Sequence, residues 1–129
     1  GAAEFLEDLR RSYQLIILSD TFYEFAMPLM SQLGLPTLFC HRLEVDSNGR
    51  IIDYKLRLRD HKTRAVQALK QLNFRTIAAG DSYNDIGMLG EADTGILFSP
   101  PQNVIDEFPQ FQVTRTYEEL RAAIDAAGR

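Results

Sequence analysis

The sequence predicts an α/β protein with a Rossmann-like, doubly wound and mainly parallel sheet. Short apolar runs typical of buried strands alternate with longer segments whose apolar residues recur every three or four positions, as in helices. This alternation favours parallel strands joined by helices. Two of the predicted strands also end in polar residues, and open α/β sheets bind ligands at the carboxyl ends of their strands.

The composition is that of an ordinary globular domain. The 129 residues are 45% hydrophobic and carry a net charge of −4, which excludes a disordered chain. The basic residues are scattered, so no nucleic-acid partner is expected. No apolar stretch has the length of a membrane span, and the single Cys40 cannot form an internal disulfide. We therefore expect a cytoplasmic protein with no membrane partner.

The most informative stretch lies near the middle of the chain. An apolar strand pattern reaches Gly80, which allows a close approach of the backbone. Two carboxylates follow, Asp81 at the strand end and Asp85 in the first turn of the next helix. Two carboxylates that share a pocket repel unless a cation lies between them, and hard oxygen ligands of this kind favour Mg²⁺. A polar loop in which Ser82 or Asn84 caps a helix is the alternative.

A second polar strand end is predicted earlier in the chain. The pattern indicates a helix at 2–11, a strand at 15–18 and an amphipathic helix at 22–33, whose aromatic and Met residues we expect in the core. The strand at 15–18 ends in Ser19 and Asp20. Hydroxyl and carboxylate groups therefore follow this strand as well.

Residues 37–58 interrupt the alternation and predict a β-hairpin around an Asn-Gly turn. Within it, Tyr54, Leu56 and Leu58 alternate with charged residues, so we expect Lys55 and Arg57 on the solvent-facing side and the three apolar residues on the other. Cys40 and His41 could form a metal pair or a nucleophile with its base. Adjacent strand residues point to opposite faces, however, so we interpret both as structural.

The first helix predicted in the second half of the chain starts at Lys62. A lysine at this end of a helix is unfavourable for the helix dipole, so its side chain either points to solvent or is held by an anion. A strand at 95–98, a short helix at 101–108 and an edge strand at 112–114 follow. A terminal helix then opens at the capping box 116–119.

Three of these segments, in order, resemble the second, third and fourth motifs of the haloacid dehalogenase (HAD) superfamily of phosphotransferases. They are Ile17-Leu-Ser-Asp20, Lys62 ahead of a helix, and Gly80-Asp-Ser-Tyr-Asn-Asp85. Longer stretches are similar to the phosphoserine phosphatase branch, especially the bifunctional phosphoserine phosphatase/homoserine phosphotransferases. These stretches are 17–25, 78–85, 95–98 and 107–111.

The resemblance implies a Mg²⁺-dependent enzyme that hydrolyses phosphoserine or passes its phosphoryl group to homoserine. It implies a role for each of six residues. The Ser19 hydroxyl and the Asp20 N–H would donate to phosphate, Lys62 would bind phosphate as a cation, and Asn84 would contact phosphate or substrate. Asp81 would be a Mg²⁺ ligand, and Asp85 would be a ligating or orienting carboxylate. Ser19, Lys62 and Asp81 are then expected to converge on one pocket. A homodimer is compatible with this assignment.

One family feature is missing from these 129 residues. The family's nucleophile, which forms an aspartyl-phosphate, is the first aspartate of an Asp-x-Asp pattern after an early strand, and no predicted strand here is followed by that pattern. Residues 1–129 are thus expected to form a partial HAD-like core domain without the nucleophile strand and the helical cap, inactive alone. A non-catalytic, receiver-like Mg²⁺- or nucleotide-binding domain and an inactive interaction fragment are the alternatives.

Overall fold

The computed structural model describes residues 1–57 and 59–129, so Leu58, predicted on the apolar face of the hairpin, lies outside the described residues. The chain divides into two compact units, Gly1–Arg59 and Asp60–Arg129. Each unit contains a three-stranded sheet with helices, and most strand pairs are parallel. The predicted α/β class is confirmed. None of the described helices is long and apolar enough to cross a membrane.

The described part of the first unit contains two helices and a strand, followed by the two strands of the hairpin. In order they are α1 Ala2–Arg10, β1 Ile16–Phe22, α2 Tyr23–Gln32, β2 Thr37–Val45 and β3 Ile51–Lys55. Strand β2 pairs in parallel with β1 and antiparallel with β3, which confirms the predicted hairpin. Its turn contains Gly49 at φ 80°, in the left-handed region that glycine tolerates.

Strand β1 continues past its predicted end at Leu18 and runs to Phe22. The register between β1 and β2 is irregular between these two residues. Within this stretch the Ser19 hydroxyl accepts a hydrogen bond from the Thr21 N–H at 3.2 Å, a local bond that competes with the ladder. Ser19 and Asp20 therefore lie in an irregular part of an extended strand and not beyond its end.

The second unit alternates helices and strands as predicted. Its elements are α3 His61–Gln71, β4 Ile77–Gly80, a 3₁₀ turn Tyr83–Asp85, α4 Ile86–Glu91, β5 Thr94–Phe98, α5 Gln102–Glu107, β6 Gln112–Thr114 and α6 Tyr117–Ala127. Strand β5 pairs in parallel with β4 on one side and β6 on the other. The Thr116 hydroxyl accepts from the Glu119 N–H, so the predicted cap of the terminal helix is present.

The two units bury apolar residues to different extents. Among the described residues, the buried apolar positions of the first unit are Leu9, Ala26, Met30, Leu38 and Cys40. Those of the second unit are Val66, Ala78, Met88, Leu89, Ile96, Leu97, Val104, Leu120, Ala123 and Ile124. The second unit thus has the larger core, because β5 is paired on both sides and covered by helices.

Several residues predicted to be inward in the first unit are exposed. Phe25 is 62% and Leu29 55% exposed, because the face of α2 that packs against Leu38 and Cys40 runs through Ala26 and Met30. Tyr54 and Leu56 of the hairpin are also exposed. Strand β1, predicted to be buried, is half-buried over most of its length, since among the described strands it pairs with β2 alone.

This difference in burial gives a matched pair of substitutions. Ile96→Ala, at a fully buried position, should lower the free energy of unfolding by about 2–5 kcal/mol because it removes packed methyl groups and leaves a cavity. Ile52→Ala, at a position 60% exposed, should cost less than about 1 kcal/mol. Urea denaturation followed by circular dichroism measures both. Equal losses would contradict the burial described here.

Candidate functional site

The second unit contains a buried ion pair between the start of α3 and the turn after β4. The Lys62 Nζ lies 2.8 Å from the Asp85 Oδ1, and the two side chains are only 13% and 9% exposed. The sequence left open whether this lysine points to solvent or is held by an anion. In the structure Asp85 is such an anion, and its charge compensates the unfavourable position of Lys62 near the helix start.

The second oxygen of Asp85 organises the loop that follows β4. Its Oδ2 accepts hydrogen bonds from the Asp81 N–H at 3.0 Å, the Ser82 N–H at 3.2 Å and the Ser82 hydroxyl at 3.3 Å. Burial acts to raise the pKa of the Asp85 carboxyl, but the hydrogen bond from Lys62 and those from the two amides outweigh it. The net effect holds this pKa below its usual value of 3.8.

Gly80, at the end of β4, is required for this arrangement. A Cβ at position 80 would lie 2.6 Å from both the Cβ and the Oδ2 of Asp85, closer than side-chain carbons approach one another. The close backbone approach that the sequence predicted at this glycine is therefore present. Its partner is the carboxylate that binds Lys62.

Asp81 and Asn84 differ from Asp85 in that both are exposed. The structure thus separates the two aspartates predicted as metal ligands. Asp81 presents a carboxylate at the carboxyl end of a parallel strand, whereas both oxygens of Asp85 accept hydrogen bonds from the protein. Geometry of this kind suits Asp81 to ligation and Asp85 to orienting the loop and Lys62.

Sequence reasoning missed how this loop is attached to α5. The Tyr83 hydroxyl donates to the Glu107 Oε1 at 2.7 Å and accepts from the Asn103 Nδ2 at 3.2 Å. The Tyr83 ring also contacts Phe108 edge to face, with centroids 5.9 Å apart. A tyrosine between two aspartates gave no sign of these partners, which lie 20 or more residues later in the chain.

The first unit holds the other two predicted phosphate-binding residues. Ser19 is half-buried, and the exposed Asp20 has its Oδ1 3.7 Å from the Nε2 of the buried His41. The Nδ1 of His41 accepts from the Arg57 N–H at 3.0 Å, so the imidazole proton is on Nε2, toward Asp20, when His41 is neutral. The sequence did not suggest this pairing, because 20 residues separate the two.

Cys40 has the properties of a structural residue. It is 1% exposed in the core cluster of the first unit. Burial raises the pKa of its thiol, which disfavours the reactive thiolate. The interpretation of Cys40 as structural therefore agrees with its surroundings. The predicted convergence of Ser19 with Lys62 and Asp81 involves residues of both units and stays a prediction.

Fold and site together define an α/β protein in which a buried lysine–aspartate pair supports a second, exposed aspartate after a parallel strand. The chain belongs to the haloacid dehalogenase-like hydrolase family, whose model matches residues 1–93. It is 59% identical over 121 residues to the phosphoserine phosphatase ThrH of Pseudomonas aeruginosa and 60% identical to a phosphoserine phosphatase of Pseudomonas syringae pv. tomato. These matches cover 94% of this chain but only 59% and 51% of the two relatives.

Solved structures support the same fold. A substrate-bound phosphoserine phosphatase complex superimposes with a TM-score of 0.74 at 24% identity, covering 98% of this chain and 62% of that one. A phosphoserine phosphatase in its apo form gives a TM-score of 0.73 at 25% identity, covering 97% and 64%. The family model and the two relatives near 60% identity confirm the resemblance to the HAD superfamily.

The Asp85 pKa predicts how stability depends on pH. Because this pKa is lowered on folding, ionised Asp85 stabilises the fold above the ordinary value of 3.8, and that contribution is lost as the pH falls through the lowered value. Asp85→Asn should cost about 3–5 kcal/mol at pH 7, since Lys62 loses its buried partner. The difference in unfolding free energy between this variant and the unsubstituted protein should decrease below about pH 4.

Urea denaturation at pH 7, 5 and 3 measures this difference. Glu118→Gln, at an exposed position on α6, removes a carboxylate without touching the ion pair and is the control. A difference for Asp85→Asn that stays constant over this pH range would show that the ionisation of Asp85 does not stabilise the fold.

Proposed function

We propose that this chain supplies phosphate- and metal-binding groups of a Mg²⁺-dependent phosphoserine phosphatase that can also pass the phosphoryl group to homoserine. The main support is the Lys62–Asp85 pair beside Asp81, in a chain about 60% identical to phosphoserine phosphatases. The chain spans 59% and 51% of the lengths of these relatives, so the activity of the whole protein is part of the proposal.

Lys62 is the proposed cation for a phosphate oxygen. Its ammonium group carries a positive charge and three N–H donors, and it lies 2.8 Å from the Asp85 Oδ1, which accepts one of them. The same ion pair restricts the lysine side chain. A charged donor fixed in advance stabilises the charge of a phosphoryl transition state without reorganising during the reaction. Asp85 is therefore a positioning residue for Lys62 in this proposal.

The proposed Mg²⁺ site rests on the donor chemistry of the loop after β4. Mg²⁺ is usually bound through one or two carboxylates, with water and substrate phosphate as the remaining ligands. Asp81 offers an exposed carboxylate there, and Asn84 adds an exposed amide that can contact phosphate or substrate. When bound, Mg²⁺ would neutralise phosphate oxygens. Asp85 would orient the loop through its hydrogen bonds to the backbone of Asp81 and Ser82.

In the first unit, Ser19 and Asp20 are the proposed phosphate donors. The Ser19 hydroxyl accepts from the Thr21 N–H, which leaves its own proton for a phosphate oxygen. The Asp20 backbone N–H would be a second donor, as the family resemblance implies. We further propose a cytoplasmic protein of serine biosynthesis that forms a homodimer, with water or homoserine as the phosphoryl acceptor.

The first functional test uses the protein translated from the whole reading frame. Lys62→Ala and Asp81→Asn should each lower kcat/KM for phosphoserine by about 100-fold or more, because each removes a charge at the phosphate or the metal. Cys40→Ser should change it less than about twofold, since the thiol is buried. Release of inorganic phosphate with and without Mg²⁺ measures the effect. Near-normal turnover by Asp81→Asn would contradict the metal role.

The second functional test uses residues 1–129 alone. We predict no turnover of phosphoserine with Mg²⁺, because these residues contain no Asp-x-Asp pattern that could provide the family's nucleophile. Phosphate release measured against a buffer blank checks this prediction. Turnover abolished by Asp20→Asn would contradict it and would identify Asp20 as the attacking carboxylate. Mg²⁺ binding with no preference for phosphoserine would instead support a receiver-like domain.

A further inference from the structure

Strand β3 forms an exposed edge of the sheet in the first unit. All five of its residues, Ile51–Lys55, are exposed. The strand order is β1-β2-β3, so among the described strands β3 pairs with β2 alone. Exposed edge strands with apolar side chains pair readily with other chains, and proteins usually protect them. This edge carries Ile52 at 60% and Tyr54 at 59% exposure.

The backbone of β3 directs specific groups toward this edge. Tyr54 faces Leu43 across the hairpin, yet the Leu43 N–H donates to the Glu24 Oε2 and the Tyr54 N–H to the Asp53 Oδ1. In an antiparallel ladder such facing residues form a non-hydrogen-bonded pair, whose N–H and C=O groups point away from the partner strand. The peptide groups of Tyr54 therefore point outward from β2.

The charges on one face of the hairpin form an unusual pattern. Arg42 faces Lys55 and Glu44 faces Asp53, and all four are exposed. Like charges directly opposite each other destabilise a strand pair. The hairpin thus carries a positive pair and a negative pair side by side, a pattern that is complementary to itself after a twofold rotation.

We propose that β3 pairs antiparallel with β3 of a second copy of this chain, with the twofold axis at Tyr54. In this register Tyr54 faces Tyr54 of the second copy, so that their outward peptide groups exchange two hydrogen bonds. The Tyr54 N–H then exchanges its local bond to the Asp53 Oδ1 for the bond to the second copy, and the Asp53 carboxylate turns to the facing Lys55. Asp53 of each copy then faces Lys55 of the other. Across the resulting sheet the four charges follow the order Glu44, Asp53, Lys55, Arg42, with the last two from the second copy.

Other registers lack this match. Centring the pairing on Asp53 or Lys55 would place identical charges opposite each other. The β2–β3 register also shifts between Glu44 and Val45, so the regular part of β3 is residues 53–55 and its middle residue is Tyr54. The opposite face brings together the exposed Tyr54 and Leu56, beside the Phe22 ring 6.5 Å from that of Tyr54. The charge pattern therefore favours a second copy over an unrelated partner.

Charge reversal tests the register in solution. Lys55→Glu and Asp53→Lys should each weaken the dimer by about tenfold or more, because like charges would then face each other between copies. The double variant Asp53→Lys/Lys55→Glu should restore dimerisation to within about threefold. Within one copy each single change replaces a like-charge pair by an opposite one, so neither variant should harm the hairpin. Arg64→Glu on α3 is the control for net charge, and sedimentation equilibrium gives the dissociation constants.

Cross-linking tests the same register by distance. Residues in a hydrogen-bonded antiparallel pair have Cα atoms about 5.5 Å apart, within the range for a disulfide. Tyr54→Cys should therefore form a covalent dimer under mild oxidation. Glu44→Cys, an exposed position on β2, should not, because three strand spacings of about 14 Å would separate the two cysteines. The native Cys40 is buried and does not compete.

Three results would each overturn the proposal. The chain could sediment as a monomer at all concentrations, or form a dimer whose dissociation constant the charge reversals do not change. The third is equal cross-linking of the cysteine variants at positions 54 and 44. This inference deepens only the homodimer of the proposed function. Its failure would leave the proposed phosphatase chemistry unaffected, because phosphate release by the whole protein is measured independently of association.

Discussion

The ion pair between Lys62 and Asp85 is the interaction on which the candidate site depends. A lysine buried at a helix start would be costly without a partner, and a carboxylate buried after a strand would be protonated without donors. The two charges compensate each other across 2.8 Å. The remaining oxygen of Asp85 accepts hydrogen bonds from the Asp81 and Ser82 amides. One carboxylate therefore fixes both the proposed phosphate cation and the loop that presents Asp81.

The two units differ in how completely their strands are paired and buried. In the second unit β5 has partners on both sides and its Ile96 and Leu97 are fully buried. In the described part of the first unit β1 and β3 are both edge strands, and much apolar surface on α2 and the hairpin is exposed. Exposed edges and apolar faces favour association with further chain segments or copies. The first unit is thus where we expect additional contacts.

The sequence predicted features that depend on local patterns. The hairpin followed from the Asn-Gly turn, the terminal helix from its cap at Thr116, and the close approach at Gly80 from its position after a strand. It could not predict contacts between distant segments, such as His41 with Asp20. Helix periodicity also overestimated burial at Phe25, because periodicity indicates an apolar face but not whether another element covers it.

A double-mutant cycle on Lys62 and Asp85 tests the central claim most directly. The unfolding free energies of Lys62→Ala, Asp85→Ala and the double variant are compared with that of the unsubstituted chain by urea denaturation. If the pair organises the site, each single change leaves a buried charge without its partner in this ion pair, and the double variant costs less than the sum of the two by about 0.5–3 kcal/mol. Additive losses, within about 0.5 kcal/mol, would contradict the account.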